Sequence, residues 1–232
     1  MGISVAAISI VDAIANDLRE RLFSGVLTPA AALTETEIAG TYDVARPTAK
    51  AAIERLVAEG LLVRGAHKTA RVADLGPDAV RDIYLARAYL ESEVLRRLAG
   101  TRSVPAEAVR ANADIAALTD ESPLAVVEPD MRFHMSLVDA VGNERLSKMY
   151  RSLVGEVRLC MTRVQALEPL DTSLIHDEHE RILALLGTGE SAAAAQLLDE
   201  HLARARERLA AALDRTSQPE TDATRTSVPM IG

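Results

Sequence analysis

Apolar residues recur at helical spacing along the first sixty residues. In residues 6–23 they form one stripe of a predicted helix, made of Ile10, Ile14, Leu18 and Leu22. The segment TETE, residues 34–37, has capping-box spacing and predicts a second, short helix to about Tyr42. A third helix follows in ARPTAKAAIERLVAEG, with Pro47 in its first turn and Gly60 placed to end it.

After residue 60 the helical spacing gives way to short extended runs. The segment LLVRGAHKTARVAD, residues 61–74, places two such runs around a basic turn that contains glycine. This arrangement predicts a small hairpin. Three helices followed by a hairpin are the order of a winged helix-turn-helix, and we assign residues 1–74 to such a DNA-binding domain.

The rest of the chain has helical spacing. Glycine and proline in DLGPD indicate a linker at residues 75–78. Six helices with short connections are predicted at residues 78–99, 104–119, 125–141, 143–167, 172–187 and 190–214. An antiparallel all-α bundle is therefore expected over residues 79–215. The polar tail, residues 216–232, is expected to be disordered. The fold class is mainly α.

Composition supports this reading and restricts the class of protein. Apolar residues make up 48% of the chain, but it has two phenylalanines and no tryptophan, so the cores must use Ala, Leu, Ile and Val. The single cysteine, Cys160, excludes an internal disulfide. No apolar run reaches the roughly 18 residues that cross a bilayer, and the N-terminus lacks the pattern of an export signal. We expect a cytoplasmic protein with no membrane partner.

Charge is distributed unevenly along the chain. The formal net charge of −8 argues against indiscriminate coating of nucleic acid, yet residues 46–71 contain six basic and two acidic residues. In a helix-turn-helix the second helix enters the major groove. The candidate contacts to double-stranded operator DNA are Arg46, Thr48 and Lys50, with His67 and Lys68 at the hairpin tip. The alternative explanation is that these residues are ordinary solvated charges on an exposed helix. The order of three helices followed by a basic hairpin favours DNA binding.

The segment DMRFHMSL, residues 130–137, indicates a metal site. Asp130 and His134 lie four residues apart and project from one face of a helix. His179 and His201 lie on the last two helices, at heights of roughly 10 and 16 Å from the connecting turn, within reach of each other. Three imidazoles and a carboxylate suit a divalent ion such as zinc, nickel or manganese. His176, three residues before His179, is an alternative ligand.

Each of these residues also has an ordinary structural explanation. A single histidine on an apolar helix is more often a core residue than a ligand. Hydrolysis at a metal would need a general base beside an open coordination position, and the spacing marks none. An open position would instead accept the carboxylate of a small effector, with Arg87 as a neighbouring cation. The alternative for Arg87 is a pair with Glu91 on the helix face.

Three longer segments carry a family resemblance. They are LTETEIAGTYDVARPTAKAAIERLVAEGLLVR in the first half, and DMRFHMSLVDAVGNERL and EHERILALLGTGESAAAAQLLDEHL in the second. They resemble the GntR family of bacterial transcription regulators, FadR-type subfamily, whose C-terminal module is the FCD domain. The resemblance covers about residues 8–214. Within it Ala45, Ala51 and Thr69 depart from the residues usual in the family.

The resemblance implies roles for particular residues. It implies DNA contacts at Arg46 and Lys50 and an effector cavity served by Arg87 and Asn143. It selects His179 over His176, so that the implied metal ligands are Asp130, His134, His179 and His201. Because this set is intact, the chain is similar to the members of the family that sense organic acids.

The sequence thus predicts a homodimeric transcription regulator, with a repressor favoured over an activator. It would bind a palindromic operator and sense a small carboxylate through a divalent metal, of which zinc is the most suitable. We expect no catalytic residues and no enzyme activity. The alternatives are a metalloenzyme acting on an organic acid, which turnover would reveal, and a regulator that senses the metal ion itself, whose DNA affinity would change on chelation alone.

Overall fold

The computed structural model describes residues 9–65, 69–119, 125–162, 164 and 171–217. The first elements, which we call the head, are α1 (Ile10–Phe23), β1 (Ala32–Thr34), α2 (Glu35–Thr41), α3 (Arg46–Ala58), β2 (Leu62–Arg64) and β3 (Thr69–Val72). The following elements, which we call the bundle, are α4 (Pro77–Gly100), α5 (Ala106–Ala116), α6 (Val127–Ala140), α7 (Glu144–Thr162), α8 (Thr172–Thr188) and α9 (Ser191–Ser217). This mainly α architecture confirms the predicted fold class.

The helix boundaries in the head follow from their capping residues. Thr34 and Glu37 form both halves of the predicted capping box, with Thr34 Oγ1 accepting from the Glu37 amide at 3.2 Å and Glu37 Oε2 accepting from the Thr34 amide at 3.1 Å. Pro47 lies in the first turn of α3, where its missing N–H costs nothing. Gly60 follows α3 at φ +76°, a left-handed conformation that glycine adopts without strain.

The hairpin after α3 is part of a three-stranded sheet. Its order is β1-β3-β2 and both pairings are antiparallel, with Ala32 opposite Arg71 and Leu62 opposite Val72. The sequence predicted only β2 and β3, which are neighbours along the chain, and missed β1, which pairs with β3 from almost forty positions away. The tip of the wing, with the predicted DNA contacts His67 and Lys68, lies outside the described residues.

The bundle is organised around the antiparallel pair of α4 and α9, its most extensive helix contact. Arg81 near the start of α4 lies 3.9 Å from Glu207 late in α9, while the end of α4 lies beside Gly189. Gly189 adopts φ +87° and closes the turn between α8 and α9. Helix α4 begins within the predicted linker, and α9 extends to Ser217. The rest of the tail predicted to be disordered, residues 218–232, lies outside the described ranges.

Helix α7 connects the two parts. Ser152 donates a hydrogen bond to the Glu59 carbonyl at 3.1 Å, and the Arg158 guanidinium lies 4.4 Å from the centre of the Phe23 ring. Leu159 is buried in the core of the head, although it belongs to the bundle by sequence. One helix of the bundle is therefore packed directly into the head. None of the described helices has the length and apolar character of a membrane span.

Candidate metal centre and DNA-facing helix

The four predicted metal ligands converge inside the bundle. Asp130 and His134 project from α6, His179 from α8 and His201 from α9, and one ligand atom of each lies within 4.8 Å of the others. Asp130 Oδ1 is 3.8 Å from His134 Nε2 and 3.5 Å from His179 Nε2. All three imidazoles are buried, and the carboxylate is only slightly exposed. Three imidazole nitrogens and one carboxylate oxygen are a ligand set that suits a divalent metal.

His176 lies away from this cluster. Its Nδ1 is 3.2 Å from the Asn112 carbonyl of α5, and the Asn112 side chain in turn donates to the His176 carbonyl at 3.2 Å. The two residues thus link α8 to α5 through polar contacts. Of the two histidines that the spacing left open, the structure brings His179 to the cluster.

Two carboxylates behind the cluster orient two of its histidines. His134 Nδ1 lies 2.6 Å from Glu91 Oε2, and His201 Nδ1 lies 2.9 Å from Glu178 Oε2. Because an ionised carboxylate only accepts hydrogen bonds, each Nδ1 is the donor of its pair, which leaves the Nε2 of each ring as the atom that can coordinate a metal. Carboxylates commonly fix ligating histidines in this way. The sequence did not predict either of these roles.

His179 is oriented by an aromatic ring instead. Its ring is stacked on Phe133 with centroids 3.6 Å apart and planes 4° from parallel. Burial, together with repulsion from His134 and His201, holds the pKa of His179 well below 6.5, so that the ring is neutral. Neither of its nitrogens has a hydrogen-bond partner among the described residues, and neither does His134 Nε2. A divalent cation would give these buried nitrogens a partner, so the residues present fit a metal.

A cavity of about 110 Å³ adjoins the cluster. Its wall includes Asp130, His134, His201 and the fully buried Arg87. The Arg87 Nε donates to Glu91 Oε1 at 3.0 Å and to the Tyr150 hydroxyl at 3.2 Å, which realises the predicted Arg87–Glu91 pair. The Arg87 Nη2 has no partner in the described part of the chain. The cavity thus presents a buried cationic donor beside the candidate metal centre.

Glu91 is the ionised centre of this network. Burial alone would raise the pKa of Glu91, but attraction to His134 and Arg87 and hydrogen bonds from His134 and Tyr150 outweigh it and lower the pKa to about 2. The negative charge on Glu91 therefore persists inside the bundle at neutral pH. It compensates the charge of Arg87 and orients His134 at the same time.

Asn143, predicted to face the effector, has a different position. It is exposed, and its Oδ1 accepts from the amides of Arg145 and Leu146 at 3.1 Å each. These contacts cap the first turn of α7. The described residues that line the cavity do not include Asn143, so this placement lends no support to an effector contact.

Helix α3, which the sequence predicts to contact DNA, presents part of the predicted basic patch. Arg46 and Lys50 are exposed and, within the described ranges, form no ion pair, while Thr48 is half-buried. Arg55 is paired with Asp12 and Arg64 with Glu54. The local charge counted along the sequence therefore overstates the free positive charge, because some acidic partners lie elsewhere in the chain.

Comparison with known proteins identifies the family. The model of the FCD domain matches residues 82–204, and that of the bacterial regulatory proteins of the gntR family matches residues 10–72. The chain belongs to the GntR family and carries an FCD domain. The resemblance expected from the motifs is confirmed, and this GntR-family chain is a transcription regulator of a family that binds operator DNA.

Individual relatives agree with this assignment. The chain is 30% identical over 162 residues to the Nta operon transcriptional regulator of Aminobacter aminovorans, covering 68% of this chain and 74% of that protein. A putative GntR regulator from Rhodococcus sp. RHA1 has the same fold, with a TM-score of 0.70 and 24% identity over 86% of this chain and 96% of its own. E. coli McbR/YncC also has this fold, with a TM-score of 0.68 and 18% identity over 87% of this chain and 97% of its own.

Proposed function

We propose that this GntR-family regulator senses a small carboxylic acid through a divalent metal held by Asp130, His134, His179 and His201. Zinc is the ion that suits three imidazoles and one carboxylate best, and nickel or manganese would also fit. The protein would act as a homodimeric repressor, with one head on each half of a palindromic operator. The metal would fix one end of the acid and connect α6, α8 and α9.

One observation carries the proposal: the metal cluster and Arg87 share a cavity. A carboxylate bound at an open coordination position can reach a second donor only if that donor lies in the same cavity. The Arg87 Nη2 is such a donor, because it is buried and has no partner among the described residues. Charge-assisted hydrogen bonds from arginine to carboxylate are among the strongest in proteins.

The balance of buried charge favours a ligand with one negative group. A divalent ion would bring two positive charges, of which Asp130 neutralises one. Arg87 and Glu91 neutralise each other, and Glu178 is paired with Arg204. One positive charge then remains, and buried charges are costly unless they are compensated. A single carboxylate would compensate it.

Exposed Arg46 and Lys50 on α3 are proposed as contacts to the operator, with Thr48 beside them. Arginine and lysine pair with guanine edges in the major groove or with phosphates. Loss of one base contact typically costs about 1–3 kcal/mol of binding. The wing residues His67 and Lys68 remain predictions.

The test uses zinc-loaded protein and a DNA fragment that it selects from a randomised double-stranded pool. Acetate, lactate and benzoate serve as carboxylate probes, with sodium chloride at equal ionic strength as the reference. We expect at least one carboxylate to weaken DNA binding about fivefold or more. The variant Arg87→Lys keeps the charge beside Glu91 but loses Nη2, and should lose this response while still binding zinc in calorimetry.

Arg96→Lys is the matched control, because Arg96 lies on the same helix but is exposed. It should respond as the wild type does. If zinc is bound but no carboxylate changes DNA affinity, and removal of zinc alone does, the protein is a metal sensor and the carboxylate proposal is wrong. If zinc is not bound at all, the metal centre itself is refuted.

A further inference from the structure

Helix α7 lines the cavity at Met161 and contacts the head at Ser152 and Leu159. Tyr150 and Leu159 lie nine residues apart, which places them about 180° apart around the helix axis. Tyr150 is fully buried in the core of the bundle, and Leu159 is buried in the core of the head. The same rigid element therefore has one face on each core.

On the bundle side, Tyr150 joins α7 to the proposed metal centre through hydrogen bonds. Its hydroxyl donates to Glu91 Oε1 at 2.6 Å and accepts from Arg87 Nε at 3.2 Å. The other oxygen of Glu91 accepts from His134 Nδ1 at 2.6 Å. Every side chain in this series of hydrogen bonds, from His134 through Glu91 to Tyr150, is buried. These few bonds therefore fix the geometry of the series.

On the head side, α7 contacts the end of the DNA-facing helix. The Ser152 hydroxyl donates to the carbonyl of Glu59, the residue that caps α3. Arg19 of α1 donates two hydrogen bonds to the Glu59 carboxylate, from Nη2 to Oε1 at 2.8 Å and from Nε to Oε2 at 3.0 Å. One turn further along α7, Gly155 packs against Leu61, since a Cβ at this position would lie 3.4 Å from the leucine side chain. A shift of α7 thus reaches the end of α3 directly.

We propose that Tyr150 is the positioning residue through which occupancy of the metal centre and of Arg87 changes the orientation of α3. This inference rests on the function proposed above. Glu91 Oε1 accepts from both Arg87 and Tyr150, so a ligand that draws Arg87 or His134 into the cavity changes what Tyr150 can bind. Helix α7 then moves as a unit, and the movement reaches the head at Ser152 and, about 13 Å along the helix axis from Tyr150, at Leu159. Coupling requires that the two arrangements differ in affinity for the ligand.

The experiment follows hydrogen exchange of residues 55–61, with Zn²⁺ alone as the probe. In the full-length wild type, zinc should change the exchange rates of this segment about fivefold or more, with α2 as the internal reference. The variant Tyr150→Phe should bind zinc with a dissociation constant within about threefold of the wild type in calorimetry, yet show no change in residues 55–61.

Two further variants separate transmission from a structural defect. Tyr84→Phe removes the hydroxyl of another buried tyrosine, whose ring lies 4.9 Å from the Arg87 guanidinium but on α4, and should transmit normally. Ser152→Ala acts at the other end of α7 and should block transmission without altering zinc affinity. Because Ser152 is only half-buried, this variant still carries the test if Tyr150→Phe does not fold.

The outcomes distinguish the two proposals. If the wild type fails to bind zinc, the proposed metal centre is wrong. If zinc binds but residues 55–61 do not respond in the wild type, or respond fully in Tyr150→Phe, the role of Tyr150 is refuted while the metal centre stands. A full response in Ser152→Ala refutes transmission through the contact of α7 with Glu59.

Discussion

The core of the head is built from hydrocarbon side chains, whereas the core of the bundle surrounds charged and polar groups. Leucine, isoleucine, alanine and valine make up the buried cluster of the head. In the described part of the chain, all buried polar side chains belong to the bundle: Arg87, Glu91, Asn112, His134, Ser136, Ser147, Glu178, His179 and His201. Both parts contain helices, but the side chains in their interiors differ.

The two interiors differ because the proposed site of the head is on its surface, whereas the proposed site of the bundle is buried. The head needs its core only for stability, because its proposed contacts to DNA are exposed on α3. The bundle places its proposed site inside, where each charge must be compensated by a neighbour. Mutations should therefore be most costly where the interior of the bundle loses one partner of a charged pair.

The largest effect is expected for Glu91→Ala. It leaves Arg87 buried without its partner, and breaking a buried pair from one side typically costs about 3–5 kcal/mol. Urea denaturation followed by circular dichroism would measure the loss in the metal-free protein. Glu93→Ala is the matched control, since Glu93 forms an exposed pair with Arg97 on the same helix and should change stability by under about 0.5 kcal/mol.

A double variant sharpens this prediction. Arg87→Met combined with Glu91→Leu removes both charges and should recover the part of the loss that comes from the unpaired Arg87, while His134 Nδ1 and the Tyr150 hydroxyl still lose their acceptor. A cost under about 1 kcal/mol for Glu91→Ala alone would show that the interior tolerates an unpaired Arg87, and would remove the contrast between the two cores.

The next largest effect is expected on lowering the pH of the metal-free protein. Burial and the neighbouring histidines lower the pKa of His179 well below 6.5, so the unfolded chain takes up a proton that the folded protein does not. Stability is then fully present above pH 6.5 and falls below it by as much as about 1.4 kcal/mol per pH unit.

Denaturation curves between pH 7.5 and 5.5 would measure this slope. His179→Gln removes the titrating group and should flatten the dependence. His176→Gln, three residues earlier on α8 and only half-buried, should leave it unchanged. Equal slopes in the wild type and His179→Gln would contradict the assignment.

The smallest effect is expected in the head. Thr34→Ala removes the side chain that accepts from the Glu37 amide at the start of α2, and the loss of such a cap costs about 1 kcal/mol. Thr36→Ala, two residues further and exposed, should have an effect under about 0.5 kcal/mol. Both would be measured by thermal denaturation. Indistinguishable melting temperatures would mean that the capping box does not stabilise the head.

The helices were predictable because their signals are local. The capping box of Thr34 and Glu37 predicted the start of α2, and Gly60 predicted the end of α3. The spacing of Asp130 and His134 predicted that they share one face of a helix. The strand β1 was not predicted, since its three residues pair with β3 from almost forty positions away. Tertiary pairing of this kind leaves no periodic pattern in the sequence.

The polar network behind the site was only partly predictable. The Arg87–Glu91 pair followed from helical spacing, but the bond from Glu91 to His134 joins residues 43 positions apart. Glu178 and Tyr150 gave no usable signal either, because their roles arise where helices meet. Asn143 shows the converse case: the motif predicted an effector contact, which stays a prediction, while the contacts of its side chain cap the start of α7.

Leu159 has a consequence for dividing this chain. A fragment cut at the linker would keep every residue that the sequence assigns to DNA recognition, yet it would lack a leucine that fills the interior of the head. The fragment would carry an apolar hole open to water. A head transferred to a related protein therefore needs a side chain of similar volume at the position of Leu159 in the recipient. Packing at this position, and not the connecting segment, limits recombination between such proteins.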